Sequence, residues 1–132
     1  MKDGIVGSPV GHQEIGRGWR WFFWAAAAFN FVIGLSSMIA PDLSVDNRIM
    51  GLMIFAFGVV YALVARDPAR YGPVVWAGLM GKVGVVALFV PTIANGTAGL
   101  LLTLVIALDA IFALGFLAFL LTKQDDVTRP RV

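Results

Sequence analysis

Apolar residues dominate four long segments of the chain, and short polar segments separate them. The apolar segments cover residues 19–40, 49–65, 72–90 and 98–121, so each contains between 17 and 24 residues. A helix of about 17–25 apolar residues crosses the hydrocarbon layer of a membrane. A helix of a soluble bundle would show a polar face recurring every three or four residues, and none of the segments has one. The pattern therefore predicts an all-α, integral membrane bundle of four transmembrane helices.

Composition points to the same class of protein. Hydrophobic residues make up 59% of the 132 residues and charged residues only 14%, whereas soluble domains average roughly 45–50% and 25%. The alternative interpretation of the first segment is a cleaved signal peptide. Its apolar run exceeds the ~7–15 residues of such a signal, and Pro41 would follow the cleavage point. We therefore expect the first segment to be retained as a span.

Three polar residues lie near the centres of predicted spans. Lys82 is at the middle of the third segment, Asp109 of the fourth and Asn30 of the first. A lone charge at the middle of the membrane costs at least ~2.5–3.5 kcal/mol. Opposite charges at one depth therefore predict an intramembrane ion pair between Lys82 and Asp109, with Asn30 as an amide partner. Tyr61, about one helical turn away in depth, is a candidate to extend this polar site.

The predicted polar site has two interpretations. Buried polar groups can fix how helices assemble while adding little net stability, which would make the pair architectural. Intramembrane ionisable residues also mark proton or substrate sites, which would make the pair functional. With one pair and no relay of carboxylates, the sequence favours the architectural interpretation and leaves the functional one open.

Small residues recur at three- and four-residue spacings along three of the spans. In lipid, small side chains let helix backbones approach closely, so that van der Waals packing holds the helices together. We predict that these stripes pack against other helices, and a ligand groove is the alternative. The residues assigned to helix packing are Gly34 in the first span, Gly51, Gly58 and Ala62 in the second, and Gly78 and Gly81 in the third.

Basic residues outside the spans fall mainly on one side of the predicted bundle. Eight of the nine lie in the two terminal segments and in the loop between the second and third spans, and only Arg48 lies on the opposite side. The positive-inside rule therefore predicts that both termini are cytoplasmic. Residues 1–18 and 123–132 are expected to be mobile cytoplasmic tails, on either side of a transmembrane domain at 19–122.

The connections between spans carry turn signals. Asp67 followed by Pro68 predicts that a helical turn starts at the membrane surface. Pro73 lacks a backbone N–H and predicts a kink or a restart as the third span begins. The dipeptide Asn95-Gly96 predicts a tight turn between the third and fourth spans.

The side-chain inventory argues against most chemistry. The chain has no cysteine, and its single histidine, His12, lies outside the spans. Thiolate metal sites and a haem held by histidines within the bundle are therefore not expected. The spans also lack paired carboxylates, so no nucleophile–base or acid–base pair can form there. We expect no catalytic residue, no metal and no cofactor, and no binding of nucleic acid.

Three runs around the second and third spans resemble a pattern in a group of membrane proteins. The runs are Gly58-Val59-Val60-Tyr61, Ala65-Arg66-Asp67-Pro68-Ala69-Arg70-Tyr71 and Gly78-Leu79-Met80-Gly81-Lys82. They are similar to small bacterial four-helix inner-membrane proteins of unknown function, and they cover about the middle third of the chain. The resemblance implies a multi-pass protein of the bacterial inner membrane. It brings no activity and no site residue with it.

Two functions from different classes remain. The first is a non-enzymatic accessory or scaffold subunit that packs in the lipid bilayer against another membrane protein or against a second copy of itself. The second is a small proton-coupled carrier, or a binding protein for a small or lipid-like molecule, that uses Lys82 and Asp109. A transporter needs a cavity near the midplane, and only the glycines of the third span suggest one. The sequence therefore favours the subunit.

Overall fold

A computed structural model of the chain describes residues 10–128 and, within them, the side chains of residues 16–123. This part of the chain is almost entirely helical and has no strand. Its helices are α1 (Val10–Ile39), α2 (Val45–Arg66), α3 (Pro68–Tyr71), α4 (Val75–Ala94) and α5 (Leu100–Thr128). A short 3-10 turn, Gly72–Val74, joins α3 to α4.

Four stretches of helix are long and apolar enough to cross a membrane. They are Gly16–Ile39, Val45–Arg66, Pro68–Ala94 and Leu100–Lys123, with lengths of 24, 22, 27 and 24 residues. The third stretch combines α3, the 3-10 turn and α4. The predicted all-α bundle of four apolar, membrane-length helices is confirmed.

Local turn chemistry explains several helix ends. The Ser44 hydroxyl accepts the N–H of Asn47 at 3.3 Å and caps the start of α2. The Asp67 carboxylate accepts the N–H of Arg70 at 3.2 Å, so the helical turn predicted there is confirmed. Gly96 has φ +71°, a left-handed conformation that glycine adopts without a steric cost. The predicted turn at this position is confirmed too.

The ends of the third and fourth spans differ from the prediction. The third span continues through Pro91 to Ala94 instead of ending before the proline. A proline inside a helix removes one backbone donor and its ring crowds the preceding turn. The helix nevertheless goes on beyond Pro91, since the carbonyl of Pro91 still accepts the N–H of Asn95 at 3.0 Å. The fourth span begins at Leu100, two residues later than predicted. The N–H groups just before it bond the Thr92 carbonyl and close the loop.

Helix extends into both predicted tails. α1 starts at Val10 and α5 ends at Thr128, well outside the apolar spans. A helix that has already formed extends at little cost, because each added residue gains one hydrogen bond. Residues 1–9 and 129–132 of the predicted tails lie outside the described part of the chain.

The four long helices form two antiparallel hairpins. α1 packs along α2, and α4 packs along α5. In the first hairpin the backbones are close, because a Cβ added at Gly34 would lie 2.6 Å from the Phe55 nitrogen and 2.7 Å from the Gly51 carbonyl oxygen. Gly58 instead leaves room for a side chain of α1, because a Cβ there would lie 2.8 Å from ring carbons of Phe31. Contact between the hairpins is made mainly by side chains.

Burial is concentrated at one end of the bundle. We call the end that holds the start of α1, α3 and the end of α5 the tail half, and the other end, with the connections at 40–44 and 95–99, the loop half. The tail half contains a continuous apolar core, in which the rings of Phe23 and Phe116 stack with centroids 5.4 Å apart. The core residues are Phe23, Ala26, Ala27, Tyr61, Val64, Ala65, Val75, Phe116, Phe119 and Leu120. Of the residues described at 31–57 and 83–108, only Gly34, Gly51 and Ile106 are buried.

Gly34→Ala should destabilise the bundle, because the new methyl group would collide with backbone atoms of α2 that cannot move independently. Overpacking of this kind typically costs ~1–3 kcal/mol. Gly84→Ala is the matched control, since a Cβ there meets nothing within 4 Å. Thermal unfolding in detergent should show a lower midpoint for Gly34→Ala alone. Equal midpoints for the two variants would contradict the close contact of α1 and α2.

Candidate functional site

A polar layer crosses the centre of the bundle where α1, α4 and α5 meet. The ammonium group of Lys82 donates to the Asp109 carboxylate and to the Asn30 amide oxygen, the latter at 3.2 Å. The Asn30 amide nitrogen donates to the Ile54 carbonyl of α2 at 3.1 Å. Asn30 and Lys82 are only 5% and 6% exposed. The structure thus brings together the three residues that the sequence places at one depth, and it connects them to all four long helices.

Aromatic rings surround the Lys82 ammonium. Its nitrogen lies 5.4 Å from the ring centroid of Phe29, 5.5 Å from that of Phe112 and 5.6 Å from that of Tyr61. The negative face of an aromatic ring attracts a cation, and the attraction is strongest where water is excluded. These rings therefore provide part of the solvation that the ammonium group loses in the bundle.

Tyr61 differs from its predicted role. The hydrogen bonds described in the layer join Lys82, Asp109, Asn30 and the Ile54 carbonyl, and the Tyr61 hydroxyl takes no part in them. Its ring instead packs on α4, where a Cβ added at Gly78 would lie 2.7 Å from a ring carbon. Tyr61 therefore contributes a ring face to the site, because the missing side chain of Gly78 leaves room for it.

The residues assigned to helix packing fall into two groups. Gly34, Gly51 and Gly58 lie between α1 and α2, and Ala62 is half-buried at the edge of the core. Gly81 differs, because a Cβ there would meet nothing within 4 Å. Adjacent residues of a helix are rotated by about 100°, so Gly81 points sideways when Lys82 points inward. Among the residues that the structure describes, none lies close to a side chain at Gly81, which instead borders the cleft described below.

A cleft extends from the polar layer into the loop half. It has a volume of about 400 Å³, and all four long helices contribute to its walls. Asn30, Lys82 and Asp109 line its inner end. Its walls are mainly apolar, and they include Met53, Phe57, Val85, Phe89, Val105 and Ile106. From Asp109 to Leu102 the cleft follows α5 for roughly 10 Å.

The polar layer keeps some hydrogen-bonding capacity for a group in the cleft. An ammonium group has three donors and a carboxylate has two acceptor oxygens. Lys82 donates one hydrogen bond to Asp109 and one to Asn30, and only one oxygen of Asp109 accepts a hydrogen bond from Lys82. The third N–H of Lys82 and the second oxygen of Asp109 have no partner among the described residues. The layer can therefore offer one donor and one acceptor without adding net charge.

Sequence reasoning found the polar layer and missed the walls of the cleft. The wall residues are ordinary lipid-compatible side chains, and neither their type nor their spacing distinguishes them from residues that face lipid. Comparison of the chain with protein-family models, with curated proteins and with solved structures gives no match.

Removing one charge of the layer should cost more than removing both. Lys82→Met leaves the Asp109 carboxylate without its cation, and breaking one side of a buried pair typically costs ~3–5 kcal/mol. The double variant Lys82→Met/Asp109→Leu should regain most of that loss. Thermal unfolding of the parent, both single variants and the double variant gives the coupling free energy. Additive losses would show that the two side chains do not stabilise each other.

Proposed function

We propose that this chain is a non-enzymatic membrane protein that binds a small, uncharged, lipid-like molecule in the cleft. The polar end of the molecule would contact Lys82 and Asp109, and its apolar body would lie along the walls. The observation that supports this proposal is that the buried charges stand at the inner end of a cavity. An ion pair with a purely architectural role needs no cavity beside it. Such a pair could have been placed within the packed core of the tail half.

The size and lining of the cleft favour a lipid-like ligand. Ligand sites in proteins are commonly ~300–1,000 Å³ and mostly apolar, with a few polar groups that fix orientation. The cleft, at about 400 Å³, has apolar walls and one polar end. A length of roughly 10 Å suits a single short hydrocarbon chain or a small ring system. A hydrophilic solute would leave most of its polar groups without partners on these walls.

The charge of the layer favours a neutral polar group. Lys82 and Asp109 neutralise each other, so a charged ligand would bring an uncompensated charge into a nearly dry site, which is costly. One remaining N–H and one remaining carboxylate oxygen match a group that both accepts and donates a hydrogen bond. An alcohol has this property. We therefore propose a hydroxyl-bearing ligand in preference to a carboxylate or an amine.

Binding is a better-supported activity than transport. The cleft lies in the loop half, while the aromatic core packs the tail half. A carrier would need this core to separate so that the ligand could leave on the other side. Coupling to a proton on Asp109 would additionally require the pair with Lys82 to break.

Val105→Trp should weaken binding of a single-chain alcohol, because the indole would occupy the cleft. Steric exclusion from an apolar pocket is worth ~1–3 kcal/mol, so a loss of about tenfold or more is expected. Leu104→Trp is the matched control, since Leu104 is 52% exposed on the outer face of the same helix. Retention of a labelled decanol by each purified variant in detergent gives the comparison. Equal retention by both variants would contradict binding in the cleft.

An accessory subunit remains the second candidate, and one surface of α4 favours it. Ala77, Gly81 and Gly84 form an exposed stripe, and a Cβ at either glycine would meet nothing within 4 Å. Small residues allow a further helix to approach closely in lipid. The partner would be another membrane protein or a second copy of this chain. Purification in mild detergent distinguishes the two candidates. A protein that co-purifies in stoichiometric amount supports the accessory subunit, and a small molecule that co-purifies supports ligand binding in the cleft.

We also propose a bacterial inner-membrane location with both termini in the cytoplasm. The distribution of basic residues supports this orientation, and the resemblance of the middle of the chain to bacterial inner-membrane proteins supports the location. A fluorescent protein that folds only in the cytoplasm should be active when fused after Val132. The same reporter inserted in the loop at 95–99 should be inactive. The reverse result would overturn the orientation.

A further inference from the structure

A second cavity lies at the tail end of the bundle, separate from the cleft. It has a volume of about 270 Å³ and lies where α2 ends and α3 begins. Its lining residues are Leu63, Arg66, Asp67, Arg70 and Tyr71. Because Arg66 is the last residue of a membrane-length helix, the cavity is at the level where hydrocarbon gives way to headgroups.

The cavity carries excess positive charge. The side chains of Arg66 and Arg70 are exposed, and Asp67 is the one carboxylate among the lining residues. One oxygen of Asp67 already accepts the backbone N–H of Arg70. The Arg70 guanidinium lies 5.3 Å from the ring centroid of Tyr71, which limits its freedom. Two guanidinium groups that line one concave surface give it the charge to attract an anion.

Phosphate is the anion that best fits two arginines at a membrane surface. The planar guanidinium group presents two parallel N–H donors that match two oxygens of a phosphate. Basic pockets beside transmembrane helices bind the phosphate-containing headgroups of anionic lipids. We infer that the cavity binds the headgroup of an anionic phospholipid through Arg66 and Arg70.

The surface below the cavity fits the rest of a phospholipid. Leu63 lines the cavity and is 39% exposed, and Val59 and Leu52 continue the exposed apolar surface along α2, with exposures of 46% and 49%. Their spacing of four and seven residues keeps them near one face of the helix. An acyl chain can follow this face while its phosphate stays at the arginines. A soluble phosphate would use the arginines alone.

The test measures lipid binding to the full chain in a neutral detergent. Native mass spectrometry should show phosphatidylglycerol bound at least about tenfold more tightly than phosphatidylcholine. The double variant Arg66→Gln/Arg70→Gln should lose this preference. The matched control is Arg17→Gln/Arg20→Gln, which removes the same charge from exposed positions of α1 at the same end and should keep the preference within about twofold.

Further variants keep the result decisive. Arg66→Lys/Arg70→Lys retains the charge and replaces the planar donors, so it should bind phosphatidylglycerol with intermediate affinity. This variant provides the test if the double glutamine variant fails to fold. Equal loss in the two paired variants would overturn the site, because it would show general surface attraction. Displacement of the lipid by inorganic phosphate at equal concentration would overturn the phospholipid assignment. The cleft plays no part in this experiment, so its outcome is independent of the function proposed above.

Discussion

Hydrocarbon offers no solvent for a charge, and the arrangement of helices around Lys82 follows from that constraint. The ammonium group needs an anion and further polar or aromatic neighbours to replace water. Asp109 supplies the anion from α5, Asn30 the amide from α1, and three aromatic rings lie close to the ammonium group. Because these groups come from different helices, satisfying one side chain aligns both hairpins at a single depth.

The two halves of the bundle are packed in different ways on either side of this layer. In the tail half, large aromatic side chains bridge the hairpins and leave little free space. In the loop half, Gly34 and Gly51 let the backbones of α1 and α2 approach closely, whereas the space between the two hairpins stays open as the cleft.

The sequence predicted the features that depend on local pattern and on depth. Four apolar segments, the turn at Asp67 and the common depth of Lys82 and Asp109 could all be read from it. It could not predict that the helix continues past Pro91, since that depends on a hydrogen bond formed after the proline. The rotation of Gly81 away from its neighbours and the apolar walls of the cleft were also missed. Rotation and separation of helices depend on contacts between distant residues, which similar apolar side chains do not distinguish.

The contact of Lys123 with the connection between the second and third spans has a mechanical consequence. Its ammonium group donates to the carbonyls of Pro68 and Ala69 at 2.6 and 2.9 Å, and it lies 5.5 Å from the ring centroid of Phe119. The end of α5 is therefore fastened to the point where the chain passes from one hairpin to the other. With that end held in place, the tail end of the bundle acts as a pivot for the two hairpins. A change in the angle between them then alters their separation most at the loop end. A molecule of the kind proposed for the cleft would therefore need only a change at the loop end of the bundle, and the aromatic core of the tail half could stay packed.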